Sequence, residues 1–269
     1  MQARRRPAEP ELVKDSPVAF RSGRGDDFGA WRLCELLGSG GSARVWRAVD
    51  AAGRIAALKI PNAHAVDVVN HEHAVLARGL HAGIVASFGI VPSHDRCALA
   101  LEYLPGGDLV ALAGSPPAHW LRPLRAVLVA LRELHAHGYA HCDLKARNVL
   151  FASDDSPRLI DFAAARPIDA PLRRSIATAA CSPAGPSASG RAADCFAFAA
   201  LAHELATGRL PYGVTGPRWQ GETPHGPAAL QAASLTGVAA DVMRANGRVR
   251  EGLAVFADGI ESAFEACPE

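Results

Sequence analysis

An aspartate, a lysine and an asparagine crowd into His141-Cys142-Asp143-Leu144-Lys145-Ala146-Arg147-Asn148, and another aspartate follows in Asp161-Phe162-Ala163. A carboxylate such as Asp143 can orient a hydroxyl or take its proton. Asn148 and Asp161 offer oxygen atoms of the kind that hard cations such as Mg²⁺ bind. Residues 148–151 and 158–161 read as two short strands, so the chain doubles back and returns Asp161 to the neighbourhood of Asp143 and Asn148. Three oxygen-bearing side chains in one cleft suit a general-base or positioning role plus two Mg²⁺ sites. The bland alternative, a polar loop without chemistry, rarely supplies this order and spacing.

Two further pieces point the same way. Gly38-Ser39-Gly40-Gly41-Ser42-Ala43-Arg44-Val45 lies between two strand-like runs. Alone, such a stretch is as readily a plain hairpin turn. Its strand–turn–strand setting excludes the strand-to-helix context of a dinucleotide-binding fingerprint. Glycines there let the backbone approach phosphates with no Cβ in the way. Lys59 stands at the end of a strand-like run, and Glu72 falls in the helix-like segment after it. Each alone reads as a solvated side chain. With the glycine loop, they fit a lysine on nucleotide phosphates held by a helix glutamate.

Other clusters read as ordinary surface. His71-Glu72-His73 is not the H-E-x-x-H of a zinc site, and residues two apart diverge on a helix. Cys142 beside His141 is not a nucleophile–base pair, since chain neighbours need not face each other. Arg166, Arg173 and Arg174 read as a solvated basic loop.

The elements that must position these groups follow from apolar spacing. Trp31–Leu37 alternates like a strand, and Val45–Val49 and Ile55–Ile60 continue a meander around the turn Asp50-Ala51-Ala52-Gly53. Residues 64–80 read as a helix, and 84–91 and 96–103 as strands. Pro105-Gly106-Gly107 breaks the pattern, and helices are expected beyond it at 119–137, 190–207, about 227–244 and 249–266. Strands first and helices after make an α+β arrangement. The expected organisation is a flexible tail over residues 1–28, a small antiparallel β lobe with one helix over 29–103, and a larger mainly helical lobe over 104–269.

With 269 residues, 49% of them hydrophobic, the chain can bury a sizeable core; a net charge of +1 gives no field that would point to nucleic acid or a membrane surface. The six cysteines are scattered without a C-x-x-C pair, which argues against zinc and redox motifs. The most apolar run, residues 195–206, is too short to span a bilayer of ~30 Å. No apolar stretch follows Arg4-Arg5-Arg6 as in a signal peptide. The expected location is the cytoplasm, with export into another cell left open.

Taken together, residues 31 to about 266 resemble the eukaryotic-like (bacterial-type) serine/threonine protein kinase family. The resemblance implies a bilobal protein-kinase-like fold, ATP as phosphoryl donor with Mg²⁺ (or Mn²⁺), and a protein substrate with Ser or Thr acceptors. It implies that Asp143 is the catalytic aspartate, that Lys145 steadies the γ-phosphate, and that Lys59 pairs with Glu72. Asn148 and Asp161 resemble the metal ligands. Gly38, Ser39, Gly40 and Gly41 resemble the loop over the phosphates. Glu102-Tyr103-Leu104 resembles the hinge that holds adenine through its backbone, with Leu101 as gatekeeper. Val45, Ala57 and Leu150 match the residues that sandwich adenine, and Asp108 the one that contacts ribose. Asp194 resembles the helix aspartate that braces the catalytic loop. By the same resemblance, Lys145 favours serine/threonine over tyrosine specificity and separates the chain from antibiotic phosphotransferases of related fold, which carry His there.

The sequence also departs from the family pattern. Cys142 replaces the arginine that receives an activation-loop phosphate, so switching by phosphorylation of Ser175, Thr178 or Ser182 is not expected. Ala43 and Ala163 stand where glycines are usual. Ser182-Pro183-Ala184 lacks a glutamate whose partner would be Arg248 or Arg250, and residues 213–226 are rich in Gly and Pro, so the helix expected there looks shortened. These departures keep two rivals in view: a pseudokinase acting as an ATP-binding or scaffolding module, and a small-molecule phosphotransferase. Intact Lys59, Glu72, Asp143, Asn148 and Asp161 oppose the first, and Lys145 the second.

Overall fold

The computed structural model describes residues 23–62, 64–94, 96–171, 178–183, 189–216, 235–244 and 252–265. Alternation builds the first lobe. Strand β2 (Trp31–Ser39) buries Trp31 and Leu33; β3 (Ala43–Asp50) buries Ala43, Trp46 and Ala48; β4 (Ile55–Pro61) buries Ala56, Leu58 and Ile60. With β5 (Ser87–Ser93) and β6 (Arg96–Glu102) they form an antiparallel sheet in the order β1-β2-β3-β4-β6-β5. The added edge strand, β1 (Asp27–Phe28), corrects the expected tail. Phe28 pairs with Trp31 and is 1% exposed in the cluster with Trp31 and Trp46, so the folded lobe begins before residue 28. Three aromatic rings fill this face because Ala48, Ala56, Ala98 and Ala100 leave room beneath them. Residues 1–22 lie outside the described residues.

Helix α1 (Val66–Leu76) is shorter than expected at both ends. Gly79, at φ +61°, marks the turn away from it. Its buried positions, Val69, Glu72, Val75 and Leu76, follow helical spacing, with a carboxylate among apolar side chains.

In the second lobe, α2 (Pro117–Ala136) opens on prolines, which suit a first helical turn, and buries Trp120, Leu124, Leu128, Leu131 and Leu134 along one stripe. Helix α3 (Gly190–Thr207) is buried almost all round and forms the central rod of the lobe. The Ser189 hydroxyl caps it by accepting from the Ala192 N–H, and Gly208 closes it at φ +72°. Helices α4 (Leu235–Arg244) and α5 (Val255–Glu265) pack on this rod and on α2. The expected start of the third C-lobe helix near 227, residues 217–226 of the Gly/Pro-rich stretch, Ala184, Arg248 and Arg250 lie outside the described residues.

Two short ladders carry the loops between these helices: β7 (Tyr139–Ala140) with β10 (Arg166–Pro167), and β8 (Val149–Phe151) with β9 (Pro157–Leu159). Two glycines permit close approaches at their edges. A Cβ on Gly190 would meet the Ala140 Cβ at 2.8 Å, and one on Gly106 would meet the Phe151 Cβ at 2.6 Å. A continuous apolar cluster runs from Val69 and Leu101 through Leu131 and Phe162 to Phe196 and Phe198, so the lobes share one core across the cleft.

Candidate active site

Lys59 comes from the inward face of β4, and its neighbours decide its state. Its Nζ lies 2.6 Å from Glu72 Oε2 and 2.8 Å from Asp161 Oδ1. Lys59 is 7% exposed and Glu72 0%, so neither is the solvated side chain that each resembles in isolation. Burial alone would lower the lysine's pKa, but the Glu72 and Asp161 carboxylates outweigh it and hold the ammonium above its ordinary value. Burial likewise presses upward on Asp161, yet the Lys59 ammonium wins and holds that carboxyl below its ordinary range. Lys59 and Asp161 therefore face each other as an ion pair, while burial pushes the Glu72 carboxyl above its ordinary range against the pull of the Lys59 ammonium. The other Glu72 oxygen, Oε1, accepts the Phe162 N–H at 3.1 Å, tying α1 to the residue after Asp161.

Asp161 sits in the left-handed region at φ +64°, a conformation that Asp tolerates better than most residues. Ala163 does not: it lies in a 3₁₀ turn, Phe162–Ala164, outside the positive-φ set, so a side chain is accommodated there without backbone strain. Ala43 is equally unstrained, as a regular residue of β3 opposite Pro61.

The catalytic loop is braced from below. Asp194 on α3, 0% exposed, accepts the His141 N–H and the Cys142 N–H at 2.8 Å each and pairs with His135 Nε2 at 2.8 Å. These bonds hold Cys142 at φ +64°, which costs a non-glycine residue about 1–3 kcal/mol. The His141 ring packs against Phe162 at a tilt of 60°, ring centroids 4.8 Å apart, so the catalytic and metal loops pack on one another.

Above the brace, the Asp143 carboxylate is fixed at both oxygens. Oδ1 accepts the Thr178 N–H at 2.8 Å, and Oδ2 accepts from Lys145 Nζ at 2.8 Å and Asn148 Nδ2 at 3.2 Å. Lys145 Nζ also donates to the Thr178 hydroxyl at 2.8 Å. Thr178 is thus part of this network; in sequence it is a phosphorylation candidate and stands within a residue of the Thr that the family resemblance places before Ser182-Pro183. The discoverable signal is a Thr just upstream of Ser182-Pro183; what hides it is the irregular spacing around that motif. His135 escapes the sequence too, because a helix histidine gives no sign of facing an aspartate far along the chain.

A cavity of about 340 Å³ opens between the lobes. Gly38, Ser39, Gly40, Val45 and Ala57 form its roof with Leu37, and Leu101, Glu102 and Leu104 form its back. Leu150 and Ile160 lie below, and Lys59, Glu72, Asn148 and Asp161 stand at its polar end. Gly41 and Asp143 line the adjoining cavity of about 790 Å³ instead. Asp108 lines neither; it bridges to Leu150 just outside the smaller one. Lys145 also lines neither and reaches the site through Asp143 and Thr178. Asn62, unremarked in the sequence, donates to the Gly40 and Gly41 carbonyls at 3.3 and 2.8 Å and steadies the loop tip.

The donor set fits a hard divalent cation. Asn148 spends its Nδ2 on Asp143, leaving its amide oxygen to accept; Asp161 gives Oδ1 to Lys59, leaving Oδ2. Among the described residues no group of three or more His, Cys, Asp or Glu could hold a metal unaided. Two protein oxygens beside a phosphate-sized space are what Mg²⁺ uses when substrate phosphates complete its shell.

Cys142 packs with Ala140, Ala164, Ile168, Ala192 and Ala193, and burial pushes its thiol pKa up, so this position is neutral and dry. Arg166 spends its guanidinium on the Ala164 carbonyl at 3.4 Å and the Pro171 carbonyl at 2.5 Å.

The protein kinase domain profile matches residues 31–223. Over 146 residues the chain is 35% identical to the DNA damage-responsive serine/threonine-protein kinase RqkA of Deinococcus radiodurans, covering 50% of this chain and 22% of that protein. It is 31% identical over 211 residues to the serine/threonine-protein kinase Pkn1 of Myxococcus xanthus, covering 70% of this chain and 30% of that protein. With the serine/threonine-protein kinase PknD of Mycobacterium tuberculosis the identity is 30% over 207 residues, 70% of this chain and 31% of that protein. The matched region thus spans less than a third of each of these relatives.

Proposed function

This chain belongs to the protein kinase domain family, and from that premise we propose that it transfers the γ-phosphoryl group of Mg-ATP to Ser or Thr hydroxyls of a protein substrate. The observation that carries this reading is the Asp143 carboxylate, held at both oxygens by Thr178, Lys145 and Asn148 beside the Lys59–Glu72–Asp161 cluster. In this reading the apolar roof and floor take adenine and the hinge backbone its polar edge. Lys59, anchored by Glu72, offsets phosphate charge. Asp143 orients the acceptor hydroxyl and receives its proton, while Lys145 offsets charge on the group in transit. Asn148 and Asp161 would hold Mg²⁺, or Mn²⁺ in its place, which would supply Lewis-acid neutralisation of the phosphates. Asp108, placed outside the cavity wall, reaches a ribose only at its rim.

The pseudokinase alternative gains no support, since relatives named serine/threonine-protein kinases match most of the chain, and Lys145, by the family resemblance, weighs against a small-molecule phosphotransferase. No described helix is long and apolar enough to cross a membrane. The setting we assign is the cytoplasm.

The test joins binding to transfer. Mg-ATP at a hundredfold excess over Kd should stabilise the protein by about 2.7 kcal/mol, read as a raised melting temperature, and EDTA should remove most of the shift. Mass spectrometry with a Ser/Thr peptide library should then show phosphorylated peptide. A shift without transfer to any peptide would favour the pseudokinase, and no shift would remove the nucleotide reading.

Regulation follows from Cys142. Cys142 itself offers an activation-segment phosphate no cation, and the Arg166 guanidinium, near enough for its charge to act on the thiol, is bonded to the Ala164 and Pro171 carbonyls. Of the candidate acceptors, Thr178 is engaged by Lys145, and the Ser182 hydroxyl donates to the Thr178 carbonyl at 2.7 Å. Ser175 lies outside the described residues. Phosphatase-treated protein and Ser175→Ala should both keep kcat/KM within about tenfold, ~1.4 kcal/mol, of untreated protein. A hundredfold loss, restored by preincubation with ATP, would show that another cation does the arginine's task.

A further inference from the structure

Helix α1 is held to the second lobe by two adjacent residues, and only Glu72 has a role in the reading above. The other is His71. Its Nε2 lies 2.6 Å from the Ala165 carbonyl oxygen. A carbonyl only accepts, so Nε2 carries the proton and donates. Ala165 follows the 3₁₀ turn Phe162–Ala164, whose first N–H is taken by Glu72. Consecutive residues of one helix thus grip both ends of the turn that leads away from Asp161.

We propose that His71 is a positioning residue for phosphoryl transfer: with Glu72 it fixes α1 against the turn that leads away from Asp161, and so keeps Glu72 on Lys59. The inference rests on the kinase reading of the site. Adjacent helix residues project about 100° apart. Glu72 ties α1 to the start of the turn and leaves the far end of the turn free to shift against the helix. A second bond, offset around the axis and directed to the far end of the same turn, removes that freedom.

Elsewhere α1 is anchored by buried Val69, Val75 and Leu76 and by His73 Nδ1, 3.1 Å from Ser87 Oγ on β5, none of which hydrogen-bonds to the turn after Asp161. The helix has 11 residues, below the ~12–15 at which isolated helices become stable, and its N-cap, Ala65, makes no side-chain bond. On the His71 side, Asp67 and Val68 face Arg166, Pro167 and Pro171 across the cavity of about 790 Å³, so no packed layer closes the gap that His71 spans. Ala163 adds to the coupling, since a turn with a side chain in place of glycine has fewer alternative conformations to relax into if one end is released.

The experiment compares wild type, His71→Ala and His71→Gln. Ala is the best helix former, so His71→Ala does not weaken α1 itself. Gln restores an N–H donor on a side chain of similar reach. For His71→Ala we expect kcat to fall about three- to tenfold, the range of one neutral hydrogen bond, with peptide KM within about twofold of wild type and the melting temperature unchanged. Amide exchange at Phe162 in nucleotide-free protein should quicken by a similar factor. His71→Gln should recover most of both. Unchanged kcat and unchanged exchange in His71→Ala overturn the proposal. So does an equal loss in both variants accompanied by lower melting temperatures, which marks a merely structural side chain. If wild type transfers no phosphate, the kinase reading fails, and the exchange comparison alone decides the clamp: faster in His71→Ala and restored in His71→Gln supports it, unchanged overturns it.

Discussion

Asp143→Ala should lower the rate of phosphoryl transfer by about 10²–10⁴-fold, the contribution of a positioned acid–base group. Lys59→Met should lose a comparable factor, since charge fixed in place before the reaction is a leading source of rate in such sites. The two variants differ in what they do to the fold. Of the donors to Asp143, Lys145 keeps Thr178 Oγ1 and Asn148 Nδ2 keeps the residue-143 carbonyl as partners, so its removal should cost the melting temperature little. Lys59 neutralises a wholly buried Glu72, so Lys59→Met strands that carboxylate and should cost about 3–5 kcal/mol. Lys59→Arg keeps the charge but replaces a compact ammonium by a planar fork, and should stay folded while transferring poorly. Initial rates and thermal melts on the four proteins separate these effects. Transfer by folded Asp143→Ala or Lys59→Arg at more than a tenth of the wild-type rate would contradict the assigned roles.

The second large effect concerns Asp194, which touches no reacting group. Its carboxylate satisfies two backbone N–H groups and the His135 ring inside the second lobe. Asp194→Ala leaves all three donors without their acceptor. At about 1–3 kcal/mol for each buried unsatisfied group, the loss should reach at least ~3 kcal/mol. It also removes the bonds that keep Cys142 in its left-handed conformation, so Asp143 should lose its aim even in molecules that stay folded. Denaturant unfolding should show a lower midpoint with an unchanged slope, and transfer per folded molecule should drop as well. Asp194→Asn, which can still accept at one atom, should fall between. An Asp194→Ala midpoint equal to wild type would mean the loop is braced by something else.

Cys142 and Thr178 show how far the chain's chemistry is legible in advance. Cys142 is legible as a missing arginine, because residue type alone decides that no cation stands there. Its packing against Ala164, Ile168 and Ala193 is not, because those partners come from separate segments. Thr178 is legible as a hydroxyl but not as a ligand of Lys145, since a loop of irregular sequence gives no periodicity from which to aim a side chain. The strand β1 escapes for a related reason: two residues are too few to alternate, and only pairing with β2 makes Phe28 a core residue.

What the sequence determined by itself is the chemical inventory and the order of elements. Asp143, Lys145, Asn148 and Asp161 are fixed by type and spacing, and the period-2 and period-3.6 runs separate a sheet lobe from a helical lobe. Tertiary structure alone decided the charge states, the second contacts and the fine placement. Lys59 is an ordinary strand-end lysine until α1 brings Glu72 within 2.6 Å and the β8–β9 hairpin returns Asp161 to 2.8 Å. Asp108 stands in the matching place along the chain yet outside the cavity wall, and His71, an unremarkable surface residue in sequence, reaches Ala165 across the cleft. The physical reason is range: propensity and periodicity act over a few residues, whereas burial, ion pairing and hydrogen-bond partners depend on groups that only the folded chain brings together.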